Sequence, residues 1–267
     1  LLKDIIFTEI LADPSPKIGL PEVEFIELFN RSQTTYNLDG WKVTDESSLL
    51  MLPALVLAPG DYLIIAPAAS EFSGYGNVWA DNDFPSLNNS GDILQLRDMN
   101  DLLVDSINYS NSWYKDDDRS SGGWSLELID PDNLCSDFEN WTVSEDPAGG
   151  TPGKQNSVFA NKPDLTGPIL RSVFPSSAAS LRLTFNERLE KLLPDVTSFI
   201  LDPAIEINRI AFSDQSLTRL QLSLANELQP GVIYSITVGT TFDCSGNSID
   251  PHFNMMFFGL PETAQAA

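Results

Sequence analysis

Histidine and the motifs of the common catalytic sites are nearly absent from this sequence. Its 267 residues include one histidine, His252, whereas most hydrolytic triads and zinc sites depend on imidazole as a base or a ligand. The chain also lacks a Gly-x-Ser-x-Gly nucleophile motif, a phosphate-binding loop, a dinucleotide-binding fingerprint and a Cys-x-x-Cys pair. Each of these motifs carries a specific chemistry, so their absence argues against the enzyme classes that they mark.

Long apolar segments are missing as well. The best run, residues 49–58, is interrupted by Pro53, and a membrane-spanning helix needs ~20 predominantly apolar residues. No membrane-spanning segment is therefore predicted. No signal peptide is visible either, and we expect the start Leu1-Leu2-Lys3 to be that of a trimmed, exported protein.

Positive charge is scarce. The chain has 15 Lys and Arg against 38 Asp and Glu, which gives a formal net charge of −23. Because binding to phosphate backbones works by counterion release onto Lys and Arg, no nucleic-acid partner is expected unless a metal ion bridges the two. The hydrophobic fraction of 42% is typical of a globular protein, and the length fits about two domains at roughly 150 residues each.

Cysteine is limited to Cys135 and Cys244, which allow one intramolecular bridge at most. The two positions fall in different predicted domains, so a bridge would join those domains. Lone cysteines in sandwich domains are more often free or buried, and free cysteines are the favoured expectation. The disulfide remains the alternative.

Signals for helices are few, and signals for short strands are many. Only residues 189–193 (LEKLL) predict a helical turn, which Pro194 would end. The predicted strands cover residues 5–11, 22–28, 41–43, 62–66, 93–96, 103–107, 124–128, 168–173, 180–185, 205–212, 219–224, 233–238 and 255–258. Apolar or alternating segments of this length, separated by turn residues, are typical of β-sandwiches.

A loop-like segment separates two sets of strands. Residues 146–163 are rich in Pro, Gly, Asn and Ser, as in a closing loop that continues into a linker. We therefore predict domains at residues 1–162 and 163–260, followed by a frayed tail at 261–267. In the second domain Tyr234 follows a Pro-Gly turn, and its hydroxyl can hydrogen-bond back across that turn, as in a tyrosine corner.

Eight blocks of sequence follow one another in the first part of the chain. In order they are 7–10 (FTEI), 24–30 (EFIELFN), 38–41 (LDGW), 57–66 (LAPGDYLIIA), 87–92 (LNNSGD), 105–109 (DSINY), 124–127 (WSLE) and 150–158 (GTPGKQNSV). Together they resemble the bacterial lamin tail domain over about residues 5–158. Residues from about 167 to 259 resemble a bacterial Ig-like domain, on weaker motifs at 183–187 (LTFNE), 228–238 and 243–249 (DCSGNSI). These resemblances imply an all-β chain of two immunoglobulin-like β-sandwich domains in tandem.

The resemblance also bears on function. Bacterial lamin-tail-like domains resemble accessory modules of exported or cell-surface proteins, and the family has no catalytic signature to carry over. The acidity, the polar loops and the β-rich pattern agree with an exported protein, in the periplasm, at the cell surface or secreted. No catalytic residue is assigned on this basis.

Acidic loops raise the question of calcium, which takes about six to eight oxygen ligands. We expect calcium, if it binds, at Asp116, Asp117 and Asp118, because a cation would relieve the repulsion among three adjacent carboxylates. Asp81 and Asp83 are the second choice. None of these clusters has the spacing of an EF-hand, and the alternative interpretation is that they are solvated acidic turns.

Aromatic residues in polar loops are the candidates for ligand contact. Trp79, Trp113 and Tyr114 could form a flat face that stacks on sugar rings, or they could fold down over the sandwich. Other tryptophans follow strand positions and are predicted to lie in the core.

Further polar residues have structural interpretations that outweigh functional ones. Glu9, Glu24 and Glu27 could act as tuned general acids, but we expect them to accept backbone N–H bonds or to pair with Arg31. A second group suits a tight turn, since Asn and Asp tolerate left-handed geometry. That group consists of Asn88, Asn89 and Asp92.

The predicted function is a non-catalytic exported or cell-surface module that presents, anchors or spaces other domains. It would bind a protein or a polysaccharide through loops or a sheet edge. The rival is a metal-assisted or carboxylate-based hydrolase of glycans or phosphoesters, which needs two carboxylates about 5–10 Å apart or a clustered metal site. A spacer made rigid by calcium is a third hypothesis. The oligomeric state is not predicted.

Overall fold

The structure is a computed structural model and describes residues 2–45, 47–133, 135, 138–214 and 216–261. The chain is all-β, as the sequence predicts, and the helical segments among these residues are short 3-10 turns. They are η1 (Ala69–Phe72), η2 (Asn111–Tyr114), η3 (Arg119–Ser121), η4 (Phe138–Asn140) and η5 (Val196–Ser198). The predicted frayed tail lies, beyond Pro261, outside the described residues.

The chain divides into two compact units. The N-terminal unit consists of residues 1–133 and 137–163, and the C-terminal unit consists of residues 134–136 and 164–267. This division lies one residue beyond the boundary predicted from sequence, and it assigns the short segment 134–136 to the other unit. No helix in the described part of the chain is both long and apolar enough to cross a membrane.

The N-terminal unit is built from short strands. They are β1 (Ile5–Leu11), β2 (Phe25–Asn30), β3 (Tyr36–Asn37), β4 (Lys42–Thr44), β5 (Leu49–Met51), β6 (Val56–Leu57), β7 (Tyr62–Ala66), β8 (Val78–Ala80), β9 (Gly91–Arg97), β10 (Leu103–Ser110), β11 (Leu126–Leu128) and β12 (Trp141–Val143). One sheet has the order β12-β11-β1-β2-β7-β8, a second has the order β10-β9-β4-β5, and β3 pairs with β6. Among these described strands, all pairs are antiparallel except β7 with β8.

Strand β1 lies in the middle of the first sheet and is buried along its whole length. A shift of register between Phe7 and Glu9 marks a bulge, at which β1 bends against β2. The bulge adjoins the second sheet, because the backbone N–H of Phe7 donates to Asp105 Oδ2 on β10 at 2.8 Å. Lys3 Nζ also contacts that carboxylate, at 2.6 Å, so both charges of this pair are satisfied.

The C-terminal unit is a simpler arrangement of two sheets. Its strands are β13 (Leu170–Ser177), β14 (Ser180–Phe185), β15 (Phe199–Asp202), β16 (Ile207–Phe212), β17 (Arg219–Leu224), β18 (Ile233–Val238) and β19 (Met255–Gly259). The sheet orders are β13-β14-β17-β16 and β15-β18-β19. Alternate residues such as Leu181, Leu183 and Phe185 are buried in one apolar cluster, as expected for strands with one face in a core.

The predicted tyrosine corner is confirmed. Tyr234 is 3% exposed, and its hydroxyl accepts the backbone N–H of Gln229 at 3.1 Å across the Pro-Gly turn. The predicted helical turn at residues 189–193 is wrong. Leu189 instead forms an antiparallel bridge with Asp243, because tertiary pairing overrides the helical propensity of a short segment.

The expectation that the cysteines are free is also wrong. Cys135 and Cys244 form a disulfide bond, with their Cα atoms 5.8 Å apart, within the usual range of about 4.4–6.8 Å. Both belong to the C-terminal unit by its contacts, although the residues on either side of the segment 134–136 belong to the N-terminal unit.

Candidate functional site

Two of the three aromatic candidates are packed into the N-terminal unit. Trp113 and Tyr114 are 6% and 5% exposed. The ring of Trp113 lies 6.2 Å from that of Trp141, and the hydroxyl of Tyr114 donates to the carbonyl oxygen of Trp124 at 3.0 Å. These two rings therefore do not form the exposed stacking face that the first hypothesis required, and the alternative, that they fold down over the sandwich, describes their position.

Trp79 is the third candidate and lies apart from the other two. It is half-buried on the edge strand β8, where it pairs in register with Ile65. Ligand contact at Trp79 remains a prediction, without Trp113 and Tyr114 beside it as a shared face.

The acidic loops act as turn-forming elements. Asp116 Oδ1 accepts the backbone N–H groups of Asp118 and Arg119, both at 3.0 Å, and Asp81 Oδ1 accepts that of Asp83 at 2.9 Å. Such side chain-to-backbone bonds are typical of Asx turns. Calcium binding by Asp116, Asp117 and Asp118, or by Asp81 and Asp83, stays a prediction.

The predicted tight turn near residue 90 has the expected chemistry. Asp92 Oδ2 accepts the side-chain amide of Asn88 at 2.7 Å, and Gly91 adopts a φ of 136°, which side chains rarely tolerate. Nearby, Glu24 Oε2 accepts the backbone N–H of Leu87 at 3.2 Å. Burial raises the pKa of Glu24 above its ordinary value, and this hydrogen bond opposes the shift.

Three glutamates form the most unusual site of the N-terminal unit. Glu9 on β1 pairs in register with Glu127 on β11 and with Glu27 on β2, so the three side chains lie on one face of the sheet. Each is 0% exposed. We call this row the glutamate ladder. Neighbouring carboxylates repel and lose hydration when buried, so the ladder needs hydrogen-bond donors to persist.

Those donors come mainly from one loop, residues 150–158, which we call the closing loop. The backbone N–H groups of Thr151 and Gly153 donate to Glu9 Oε1 at 2.8 Å and to Glu27 Oε2 at 2.6 Å. Glu127 accepts from the hydroxyls of Thr151 and Ser157 at 2.8 and 2.7 Å and from the backbone N–H of Val158 at 3.2 Å. The loop is thus fastened to the sheet by side chains that would otherwise be poor core residues.

Glycine makes this close approach possible. A Cβ atom at position 150 would lie 2.4 Å from Glu9 Oε1. A Cβ atom at position 153, where φ is +82°, would lie 1.7 Å from the carbonyl oxygen of Tyr75. The two glycines of the Gly-Thr-Pro-Gly sequence therefore fit a path that other residues would block.

Two members of the ladder, Glu9 and Glu27, hold protons at higher pH than exposed glutamates do. Burial raises the pKa of Glu9 well above its ordinary value, and the charges of Glu27 and Glu127 raise it further. Burial likewise raises the pKa of Glu27 to about 8, while hydrogen bonds from Gly153 and Thr8 oppose the shift. Glu9 Oε2 has no hydrogen-bond partner among the described residues, which fits a protonated, neutral carboxyl group.

The ladder shows which role Glu9 and Glu27 take. Both accept backbone N–H bonds, as expected, but neither pairs with Arg31, whose Nη2 contacts Asp132 Oδ1 at 2.7 Å. Sequence reasoning did not single out Glu127, although it lies in the block WSLE. Because all three carboxyl groups are sealed beneath the closing loop, their arrangement serves to hold the fold rather than to meet a substrate.

The C-terminal unit contains a separate acidic group. Carboxylate oxygens of Asp164, Glu187 and Asp243 lie within 4.8 Å of one another, the one group of three such ligands among the described residues. Burial, followed by the charge of Asp164, raises the pKa of Glu187 to about 8. Oxygen ligands of this type suit hard divalent cations such as calcium, which need additional oxygens to complete their shell.

Hydrogen bonds to neighbouring residues explain part of the arrangement of this acidic group. Asp243 Oδ1 accepts the backbone N–H groups of Ser245 and Asn247, both at 2.8 Å, in the turn of the block DCSGNSI. Asp164 Oδ2 is buried and has no hydrogen-bond partner among the described residues. The sequence reasoning did not name these three residues as ligands, because they converge only through the pairing of Leu189 with Asp243.

Comparisons with known proteins add two observations. Three solved structures of the S-layer protein SbsC are similar to parts of this chain. One is the N-terminal part of the bacterial S-layer protein SbsC, with 18% identity, a TM-score of 0.34 and coverage of 39% of this chain and 25% of that one. The S-layer protein rSbsC(31-844) matches with 18% identity, a TM-score of 0.34 and coverage of 39% and 15%. Domains 1-6 of SbsC match with 18% identity, a TM-score of 0.33 and coverage of 37% and 14%.

The chain therefore spans a quarter or less of each of these S-layer structures. No curated protein matches the sequence. The resemblance in the first half of the chain has direct support, since residues 2–111, which carry strands β1 to β10, match the family model of the Lamin Tail Domain.

Proposed function

We propose that this chain is a non-catalytic structural and interaction module of an exported or cell-surface protein. The glutamate ladder carries the proposal. Its three carboxyl groups are buried like many catalytic acids, and the pKa values of Glu9 and Glu27 are raised in the same way, yet their hydrogen bonds are directed to the closing loop. The match of residues 2–111 to the Lamin Tail Domain supports the same role, since none of the sequence blocks that carry this resemblance forms a known catalytic motif.

The module would present, anchor or space other domains, and it would bind a protein or a polysaccharide through its surface. Two all-β units joined in one chain suit a spacer, because antiparallel sheets with one face in a core hold their shape without a ligand. We expect no nucleic-acid partner, because the net charge of −23 disfavours contact with phosphate backbones.

The location is tested in cells that carry the complete reading frame. An antibody raised against this chain is used to probe intact cells before and after external protease, and to probe the medium. We expect the protein in the medium or in the protease-sensitive surface fraction. Recovery only with a cytoplasmic marker enzyme, protected from protease, would contradict export.

A hydrolase remains the second candidate, and one observation favours it. Glu187, with its pKa raised to about 8, lies beside Asp243 and Asp164, and many glycosidases use two neighbouring carboxyl groups of which one has a raised pKa. Access argues against it, since Glu187 and Asp243 are 4% and 0% exposed. Turnover of a chromogenic glycoside or phosphoester that disappears in Glu187→Gln would establish this candidate instead.

A further inference from the structure

The outward face of sheet β13-β14-β17-β16 concentrates positive charge in an acidic protein. Along β14 and β17, leucines 181, 183, 220 and 222 point into the core, so the residues between them face outward. Arg182, Arg209 and Arg219 are exposed on this side, on three adjacent strands. We call it the arginine face.

The strand register defines how these side chains are arranged. Arg182 on β14 pairs with Gln221 on β17, and Gln221 pairs with Ala211 on β16. Arg209 pairs with Ser223, so its guanidinium stands two residues along the strand from that row. On the other side of Arg182, its partner on β13 is Phe174, whose ring is 61% exposed.

The charge of this face is largely uncompensated. Within the described part of the chain, Arg182 and Arg209 form neither an ion pair nor a hydrogen bond. Arg219 Nη1 lies 3.4 Å from Asp214 Oδ2, and Asp214 lies in the connection between β16 and β17. Neighbouring like charges on one sheet face are unfavourable. An anion placed between the guanidinium groups would remove that repulsion.

The shape of the face also suits a ligand. A groove of about 490 Å³ runs over it, and its lining includes the three arginines, Gln221, Ser223 and one acidic residue, Asp214, which pairs with Arg219. Gln221 donates through its amide to Ser176 Oγ at 2.7 Å, so the floor of the groove has ordered polar groups. Guanidinium groups bind carboxylates through two parallel N–H bonds, with more geometric specificity than ammonium groups have.

We propose that the arginine face binds an acidic polysaccharide, with sugar carboxylates on Arg182 and Arg209 and a sugar ring against Phe174. Hydroxyl and amide side chains between the arginines match the hydroxyl groups of sugars. The widely spaced carboxylates of such a polymer are repelled less by a protein of charge −23 than the dense phosphates of a nucleic acid. The proposal builds on the interaction role given above, and it can fail while export of the module still holds.

The test compares two polymers with the same sugar backbone, one with free carboxylates and one with neutral methyl esters. Binding of the intact chain to polygalacturonate is measured by isothermal titration calorimetry in 50 mM and 300 mM NaCl, beside fully methyl-esterified polygalacturonate. We expect saturable binding to the free acid, weakened by salt, and none to the ester. The double variant Arg182→Gln/Arg209→Gln should bind at least about tenfold more weakly, because each guanidinium loses a charge-assisted contact.

The matched control is Lys17→Gln/Lys191→Gln, which removes the same charge at two exposed positions outside the face. It should change the affinity less than about twofold. Arg182→Lys/Arg209→Lys keeps the charge but loses the two parallel N–H donors of each guanidinium. An intermediate affinity with an unchanged melting temperature therefore supports paired hydrogen bonds from the arginines to carboxylates.

Several results would overturn the proposal. They are equal binding of the ester, equal weakening in the lysine control, and absence of saturable binding in 50 mM salt. Tighter binding of poly-glutamate than of polygalacturonate would show that an acidic polypeptide occupies the face instead.

Discussion

The two all-β units of this chain have different interiors. The N-terminal unit buries many polar and charged side chains, among them Glu9, Glu27, Asn140 and Asp105, whereas in the described C-terminal unit only Glu187, Arg188, Thr241 and Asp243 are buried polar residues. The C-terminal core is otherwise a single apolar cluster. Polar interiors specify which segments meet, because each buried group needs its own partner, while apolar interiors tolerate rearrangement.

The charge is divided just as unevenly. Residues 1–163 contain 27 acidic and 9 basic residues, a formal charge of −18, and residues 164–267 contain 11 acidic and 6 basic residues, a formal charge of −5. The acid surplus is therefore a property mainly of the N-terminal unit, where part of it is built into the fold. The remaining acids keep the chain soluble.

The strongest test of this contrast is removal of the disulfide. We expect Cys135→Ser/Cys244→Ser to destabilise the C-terminal unit by about 4 kcal/mol, since the bridge closes a long loop in the unfolded chain. Hydrogen exchange of backbone amides in β17 and β18, followed in urea, measures the stability of this unit. All five tryptophans lie in residues 1–163, so tryptophan fluorescence follows the N-terminal unit and should shift much less. If removal of the disulfide lowers the stability measured by fluorescence more than that measured by hydrogen exchange, the bridge does not act mainly on the C-terminal unit.

The next effect concerns the glutamate ladder. Glu127→Ala removes the acceptor for three hydrogen bonds of the closing loop, and the buried hydroxyl of Thr151 loses its acceptor. We expect the free energy of unfolding to fall by about 3 kcal/mol. Tryptophan fluorescence during unfolding in urea measures this change. The control is Glu71→Ala, the same change at an exposed position. If both variants unfold alike, the ladder does not fasten the loop.

The third and smallest effect is a dependence on pH that separates the units. Burial raises the pKa of Glu27 and of Glu187 from 4.5 to about 8, so the folded state holds these protons more tightly than the unfolded state. Their stabilising contribution is full below about pH 4.5 and is lost as the pH rises through 8, which makes each unit about 2 kcal/mol less stable at pH 8.5 than at pH 6.5.

Neutral variants assign this dependence to its unit. Glu27→Gln should flatten the pH dependence seen by tryptophan fluorescence, and Glu187→Gln should flatten that seen by hydrogen exchange in β17 and β18. If the stability of the unmodified protein rises between pH 5 and pH 8.5, the raised pKa values of Glu27 and Glu187 are contradicted.

The regular strands could be predicted from sequence, and the irregular ones could not. The predicted bounds of β1, β7, β14, β17 and β18 coincide with those of the structure, because each is a segment of apolar or alternating residues long enough to show its period. Strands of two or three residues, such as β3, β6 and β12, have no period to detect. They exist because neighbouring strands supply their hydrogen bonds.

The candidate sites depend on which strands pair and in which register, and local sequence patterns do not show this. Glu9 and Glu27 were recognised as acceptors of backbone N–H bonds, but Glu127 joins them only because β11 lies beside β1. In the same way, alternation along β14 and β17 places Arg182 and Arg219 outward, while their grouping with Arg209 requires the order β14-β17-β16. Pairings between distant segments decide such contacts, and local sequence patterns do not report them.

The disulfide has a mechanical consequence for a chain that carries tension between its ends. It connects two residues separated by 109 positions, so a pulling force passes from Cys135 to Cys244 through the sulfur atoms and bypasses everything between them. After reduction, unfolding of the residues between the two cysteines would add up to roughly 360 Å of extended backbone at about 3.3 Å per residue. The bridge thus sets how far the protein can lengthen under load, and the redox state of its surroundings becomes the control on its reach.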